Sequence, residues 1–337
     1  MIIIHSKQMY VKLNMSPRAI MPTKNTSLID VPVLLMLFNR PETTRAVFDK
    51  VREARPSKLF VAANGPRPGN AKDPGLCEAV RAIFKEVDWP CDVHTNFRET
   101  NIGMQPHWRL ALDWFFESVD SGIILEDDCV PNRSFFYFCG DLLQRYKDDE
   151  SVMHINGSNF QFGNVRGDAS YYFSKYSHVW GWATWRRAWN KYDSALSSFP
   201  KFKERNAIES IVSSRDERAY WMRFFGEIYS GMRDGCDVKW SYSIWANDGF
   251  CITPNVNMIS NIGFGFDAGH TIFKDKTLGQ ATAEIPSIIH PVIQGSASFA
   301  SLCDKEADAF TFRTYFYRTF WQKLVYKTTM LMLDLFK

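Results

Sequence analysis

The chain has 337 residues, of which 45% are hydrophobic and 23% charged, and its formal net charge is +3. This is the balance of an ordinary globular protein, and so small a positive excess excludes nucleic acid as the default ligand. Seven cysteines without a C-x-x-C pair suggest neither a disulfide framework nor a zinc site and read as reduced thiols in a cytosol. The longest apolar run, residues 31–38, is far below the ~20 residues needed to span a bilayer. The N-terminus lacks the apolar stretch and small-residue cleavage site of a secretory signal, so neither a spanning nor a secretory segment is expected.

Residues 1–30 mix Met, Lys, Ser and Pro without a period and read as a loosely ordered leader, with Met9, Met15 and Met21 as alternative starts. The apolar run 31–38, closed by Asn39-Arg40-Pro41, predicts a strand buried on both faces, and 42–54 follows with helical spacing. The unit recurs. Residues 58–63 read as a strand ending in Asn64-Gly65-Pro66, and 75–87 as a helix. A third strand at 91–96, a helix at 105–117 and a fourth strand at 122–125 lead into Glu126-Asp127-Asp128. Alternation of this kind predicts an α/β fold with a mainly parallel central sheet and helices on both faces.

Beyond residue 151 the pattern loosens. Strand-like pieces at 153–156 and 171–174 precede a Trp-dense stretch at 180–189, a charged helical segment at 197–233 and a Gly- and Asn-rich region at 237–271. No internal repeat appears, so residues 31–150 and 151–300 read as a nucleotide-binding half and an acceptor, catalytic half of one domain. The tail, 301–337, combines aromatic residues with Arg313, Arg318, Lys323, Lys327 and Lys337. It suits an amphipathic helix on an anionic membrane surface, and equally one packed on the domain.

Parallel sheets bind ligands beyond the carboxyl ends of their strands, which singles out Asn39, Arg40, Asn64, 98–103 and the acidic triplet. Three successive carboxylates after an apolar strand repel one another unless a cation sits among them, and oxygen ligands suit Mn²⁺ or Mg²⁺. Such an ion, bridging carboxylate and diphosphate, offsets charge that grows on a leaving nucleotide. The competing reading is a solvated acidic turn that caps a helix starting near Asn132 or Ser134.

The stretch 39–67, His107-Trp-Arg-Leu-Ala-Leu112, Glu126-Asp127-Asp128 and Cys251-Ile-Thr-Pro254 stand in the order found in the Golgi N-acetylglucosaminyltransferase that initiates complex N-glycans. With Gly181-Trp-Ala-Thr-Trp-Arg186 and Asn261-Ile-Gly-Phe-Gly265, the chain also resembles bacterial family 2-like and hemolytic-protein-like glycosyltransferases of the GT-A type, over roughly residues 32–272. The resemblance implies a GT-A nucleotide-diphospho-sugar transferase fold. It also implies a metal-dependent, inverting glycosyltransferase that takes a UDP-linked sugar to a glycan or lipid-linked acceptor in bacterial surface polysaccharide synthesis, at the cytoplasmic face of the membrane.

Carried over residue by residue, it implies that Asn39, Arg40, Asn64 and His107 contact the nucleotide or diphosphate. Glu126, Asp127 and Trp182 fall at the donor site, Asp128 on the metal, and His270 at a further metal or diphosphate contact. Asn64 departs from the family, which has Asp there. For the base that takes the acceptor proton, one alignment points to Asp237. The other places Ser241 at the acidic position of a W-D-Y-Q motif, and serine is a poor base. A catalytically weakened homologue that binds nucleotide or sugar without transfer is the alternative.

Overall fold

The computed structural model describes residues 29–263, 282–292 and 302–317. In chain order the first half contains β1 (Val33–Leu37), α1 (Pro41–Ala54), β2 (Lys58–Ala63), α2 (Asp73–Ile83), β3 (Asp92–Phe97), α3 (Met104–Ser118), β4 (Ser121–Glu126), β5 (Cys129–Pro131) and α4 (Arg133–Arg145). The second contains β6 (Val152–Asn156), β7 (Tyr171–Ser174), β8 (Trp182–Trp185), α5 (Arg186–Trp189), α6 (Phe199–Glu204), α7 (Ile208–Ile211), α8 (Arg215–Tyr229), α9 (Cys236–Ala246), β9 (Phe250–Pro254), β10 (Ile259–Asn261) and α10 (Lys305–Thr311), which runs into a π-helical turn (Phe312–Phe316).

Eight strands form one sheet in the order β3-β2-β1-β4-β8-β6-β9-β7. β1 to β4 are mutually parallel, β8 lies antiparallel between β4 and β6, β9 is parallel to β6, and β7 closes the edge antiparallel. A separate antiparallel pair, β5 with β10, brings residues 129–131 against 259–261. The expected α/β fold with a mainly parallel sheet is therefore present.

The apolar run of β1 is continuous because both faces are covered. Val33, Leu35 and Leu37 pack into one core with Phe48 and Val51 of α1 and Phe135 and Leu142 of α4. Leu34 and Met36 pack into a second core with Trp108 and Phe115 of α3, Trp221 of α8 and Trp240 of α9. Most of the chain's tryptophans lie in this second layer, where Trp182 stacks on Trp108 at 6.1 Å and on His154 at 5.0 Å. Gly181, between two indoles, has φ +59°, and a Cβ there would stand 2.4 Å from Ile259 Cδ1, so only glycine lets β8 enter beneath β10.

Several expectations shift. The leader's end is not loose, because Ile29 is buried and pairs with Pro56. Asp237 and Ser241, expected in a Gly- and Asn-rich region, lie on a helix, α9. The described part of the tail packs on the domain: Phe312 is buried and Phe316 lies 4.9 Å from Trp221. Residues 318–337, with the remaining basic side chains, lie outside the described residues, as do 1–28. No helix among the described residues is long and apolar enough to cross a membrane.

α10 is held by polar groups on three sides. Asp304 caps it, Gln161 Nε2 donates to Ala307 O (3.0 Å) and Thr311 Oγ1 (2.7 Å), and Ser174 Oγ donates to Asp308 Oδ1 at 2.5 Å. Burial pushes the Asp308 carboxyl up to about 7, against the lowering pull of Lys175, whose ammonium also pairs with Glu217 at 2.7 Å. A carboxyl raised on folding stabilises the native state while it keeps its proton, so this contribution is complete below the unfolded pKa and disappears as pH rises through about 7. Thermal unfolding from pH 5 to 8 is expected to show a declining midpoint for the parent and a flatter profile for Asp308→Asn; identical profiles would exclude Asp308 as the group responsible.

Candidate functional site

β1, β2 and β4 end side by side, so the residues that follow them share one rim. Arg40, which follows β1, reaches across to the triplet that follows β4. Its Nη2 pairs with Asp127 Oδ1, its Nε donates to Asp127 Oδ2 at 3.3 Å, and its Nη1 donates to Asp128 Oδ2 at 2.9 Å. The cation that the triplet demands is thus, in part, a guanidinium of the chain itself. Although burial opposes it, the two carboxylates hold Arg40 more firmly in its charged form.

Burial pushes Asp127 above the usual carboxylate range, with Arg40 pulling it back, and pushes Glu126 further, helped by Asp128 and Asp127. Asp237, in the first turn of α9, adds a smaller part to the upward push on Glu126, which puts it within electrostatic reach of the end of β4. The reading of the triplet as a helix cap fails. The N-terminus of α4 is capped by Asn132, whose Oδ1 accepts from Phe135 N at 3.0 Å, and by Glu284, which accepts from the backbone N–H of Arg133 and Ser134.

Asp128 is enclosed from the far end of the chain. Its carbonyl accepts from Ile262 N at 2.9 Å, and a Cβ on Gly263 would stand 1.9 Å from its Oδ2. The Asn-Ile-Gly sequence at 261–263 is therefore a cradle for this carboxylate, a role that motif position alone did not disclose. Among the described residues no three His, Cys, Asp or Glu side chains converge as a cation site. What is present is hard oxygen at Asp128, a donor set that suits Mg²⁺ or Mn²⁺ shared with substrate phosphates. His270, expected as a second ligand, lies outside the described residues.

The nucleotide-side residues prove to be tied to one another. Asn39 Nδ2 donates to Asp73 Oδ1 at 2.9 Å, and Arg67 holds both oxygens of the same carboxylate at 2.6 and 2.9 Å. Hydrogen bonds from Arg67 hold Asp73 well below the usual range, despite the opposing effect of burial. Asn64 spends its oxygen on Gly65 N (2.9 Å) and Ile102 N (3.2 Å), and its Nδ2 donates to Gly103 O at 3.2 Å. It pins the loop after β3, which leaves one amide hydrogen for any ligand.

His107, on α3, is buried, and burial lowers it to about 4, so its ring is neutral. One ring nitrogen bonds to the Ala62 carbonyl and carries the proton, while Nε2 is buried without a partner. A bare acceptor of this kind suits a hydroxyl, as on a ribose, and not a diphosphate oxygen.

Trp182 does not form a wall of the donor site: its ring is fully buried between Trp108 and His154. Ser241 is also buried. Its hydroxyl donates to Asp237 O at 3.0 Å and meets Ser177 Oγ at 2.7 Å, so it braces α9 against the segment before β8.

Asp73 and Glu284 join the surroundings of the site without a sequence signal, through contacts 6 to 151 positions apart.

No protein-family model and no curated protein matches the sequence. Solved structures resemble it in part. A mannosyltransferase of Pyrobaculum calidifontis, in complex with GDP-Man and Mn²⁺, matches 50% of this chain and 48% of its own at 13% identity and a TM-score of 0.33. A cytidylyltransferase of Leptospira borgpetersenii matches 50% of this chain and 65% of its own at 11% identity and a TM-score of 0.31. Mouse xyloside xylosyltransferase 1 matches 64% and 81% at 12% identity and a TM-score of 0.30. The chain thus spans about half of the first of these and under two thirds of the second.

Removing Arg40 leaves two buried carboxylates without their cation. Arg40→Gln is therefore expected to lower stability by about 3 kcal/mol at neutral pH and by less under acid conditions, where the carboxyls take up protons. Denaturant unfolding at both pH values measures this, and an unchanged midpoint would exclude the bridge.

Proposed function

We propose that this protein is a glycosyltransferase that moves a sugar from a nucleotide diphosphate, UDP-linked, to a hydroxyl of a glycan or lipid-linked acceptor with inversion. The observation that carries the proposal is the acidic triplet at the carboxyl end of β4, bridged by Arg40 and within electrostatic reach of Asp237 on the first turn of α9. That place in a parallel sheet is where nucleotide ligands bind, and the two carboxylate groups stand on opposite halves of the chain.

In this scheme the nucleotide lies over the rim formed by Asn39, Arg40 and Asn64, with the neutral His107 Nε2 accepting from a ribose hydroxyl. Arg40 both offsets the charge of Asp127 and Asp128 and presents a guanidinium edge toward phosphate. Asp128 is the residue that would hold a divalent ion together with the diphosphate, where the ion would supply positive charge for the departing nucleotide. Asp237, exposed and within electrostatic reach of the triplet, takes the proton of the acceptor hydroxyl as its oxygen bonds to the anomeric carbon and the bond from that carbon to the diphosphate oxygen breaks. Ser241, buried and bonded to Ser177, is no substitute for a base.

Two variants separate binding from turnover. Asp237→Asn is expected to depress transfer by about 10²- to 10⁴-fold with nucleotide affinity nearly unchanged, since a base contributes mostly in the transition state. Asp128→Ala is expected to abolish the Mn²⁺-dependent part of nucleoside diphosphate binding, read by calorimetry. A panel of nucleotide sugars assayed for transfer and for donor hydrolysis tests the whole scheme. Full activity in Asp237→Asn would remove Asp237 from it, and the absence of nucleotide binding by the parent would overturn the donor site.

A further inference from the structure

We infer that the free edge of β3 pairs antiparallel with β3 of a second copy of this chain, about a twofold axis at Thr95. The inference is independent of the proposed transfer reaction. β3 is the outer strand at one end of the sheet, and the backbone N–H groups of Asp92 and Arg98 donate inward, to Ser57 O and Ala63 O, both at 2.9 Å. Main-chain direction repeats every two residues along a strand, so His94 and Asn96 also turn toward β2, while Val93, Thr95 and Phe97 turn their N–H and C=O groups outward. Among the described residues no segment pairs with that outer edge. The other end of the sheet is treated differently. β7 is buried along its length, and the chain covers its edge where Cys303 bridges Phe173 and Asp304 N donates to Phe173 O at 2.9 Å.

β3 also lacks the features that keep an edge strand single. Its six residues run in unbroken register with β2, without a proline, a lysine or a bulge, and Val93 and Phe97 are each 37% exposed. Charge stands only at the ends of the stretch 92–98, as Asp92, whose side chain is 62% exposed, and Arg98.

The order of these residues favours a second copy over an unrelated strand. In an antiparallel pair, outward-turned residues must meet outward-turned residues. An axis at Thr95 satisfies this, and it sets Thr95 against itself, Val93 against Phe97, His94 against Asn96 and Asp92 against Arg98. Opposite charges then meet at both ends, and an apolar pair lies on each side of the axis, the combinations that stabilise cross-strand neighbours. An axis at His94 sets Asp92 against Asn96, and one at Asn96 sets Val93 against Glu99, so each loses a matched pair. The contact is self-complementary, as a twofold interface requires. Antiparallel pairing also turns the carboxyl-end rim of the second copy to the opposite end of the joined sheet, which keeps the two candidate sites apart.

Sedimentation velocity of the full chain at micromolar concentrations is expected to show the mass of two chains. Asp92→Arg, a change at an exposed side chain, sets like charges together at both ends and is expected to weaken association about tenfold, with the double variant Asp92→Arg/Arg98→Asp restoring it. Thr95→Pro removes an outward N–H and no bond to β2, so it is expected to give single chains with unchanged circular dichroism. Register is read by oxidation, against the parent as control for its own thiols. Thr95→Cys is expected to link two chains, because a hydrogen-bonded antiparallel pair holds its Cα atoms about 5.5 Å apart, within disulfide reach, whereas Val93→Cys is not. A parent that sediments as a single chain, association unchanged in both Asp92→Arg and Thr95→Pro, or linkage through Val93→Cys in place of Thr95→Cys would each overturn the pairing.

Discussion

A guanidinium that bridges two neighbouring carboxylates is the constraint on which the rest of this site depends. β4 is buried between its ends, and Asp127 and Asp128, which follow it, are buried too, so the acids stand in a poorly solvated rim, where unpaired charges are costly. Arg40 sits at the end of the adjacent strand, and the parallel register that matches Met36 to Glu126 delivers its side chain to Asp127 and Asp128. The charge balance of the rim is thus written into sheet register. It also leaves the rim able to exchange partners, since a guanidinium satisfied by carboxylates and a diphosphate held by a cation are alternative ways of offsetting the same charges.

The opposite side of the site is positioned by neutral groups. Trp240, on α9, donates its indole N–H to His154 Nδ1 at 3.0 Å. Indole can only donate, so Nδ1 is the acceptor and Nε2 carries the proton, which reaches Asn156 Oδ1 at 2.8 Å and His178 O at 3.2 Å. Burial lowers His154 to about 3, which keeps this assignment over the working pH range. Asn156 in turn donates to Thr253 Oγ1 on β9 and to Tyr176 O. A chain of single-tautomer hydrogen bonds therefore fixes α9, and with it Asp237, to the sheet. The network has no free choice of proton position, as a buried polar chain requires if it is to specify one geometry.

Much of the first half was readable in the sequence because its signals are local. Runs such as 58–63 and 122–125 are apolar and bounded by turn residues, and strand ends in a parallel sheet are the general place for ligands. Arg40 and the triplet emerged for that reason. The second half was less readable because long-range contacts decide it. The indoles of 180–189 look alike in sequence, yet Trp182 is sealed in the core against Trp108 of α3, while Trp180, just before β8, is only partly buried. Asn64 has the chemistry of a ligand contact and the hydrogen bonds of a loop anchor, and only the positions of Ile102 and Gly103 distinguish the two.

The antiparallel insertion of β8 explains why distant parts of the chain meet at one corner. By pairing with β4 on one side and β6 on the other, it continues the sheet from the acid-bearing half into the half that carries α9. The small β5–β10 sheet then folds 259–263 back over Asp128, and Gly181 and Gly157 leave room for it, since a Cβ at Gly157 would stand 2.5 Å from Gly181 O. The edge strand β7 receives α10 through Phe173, Ser174 and Lys175, which sets the turn at 312–316 beside Phe160 and His178. The contributors to the site are therefore tied to different strands, of the eight-stranded sheet or of the β5–β10 pair. Movement of a single element would alter one wall while leaving the carboxylate rim and its Arg40 bridge in place.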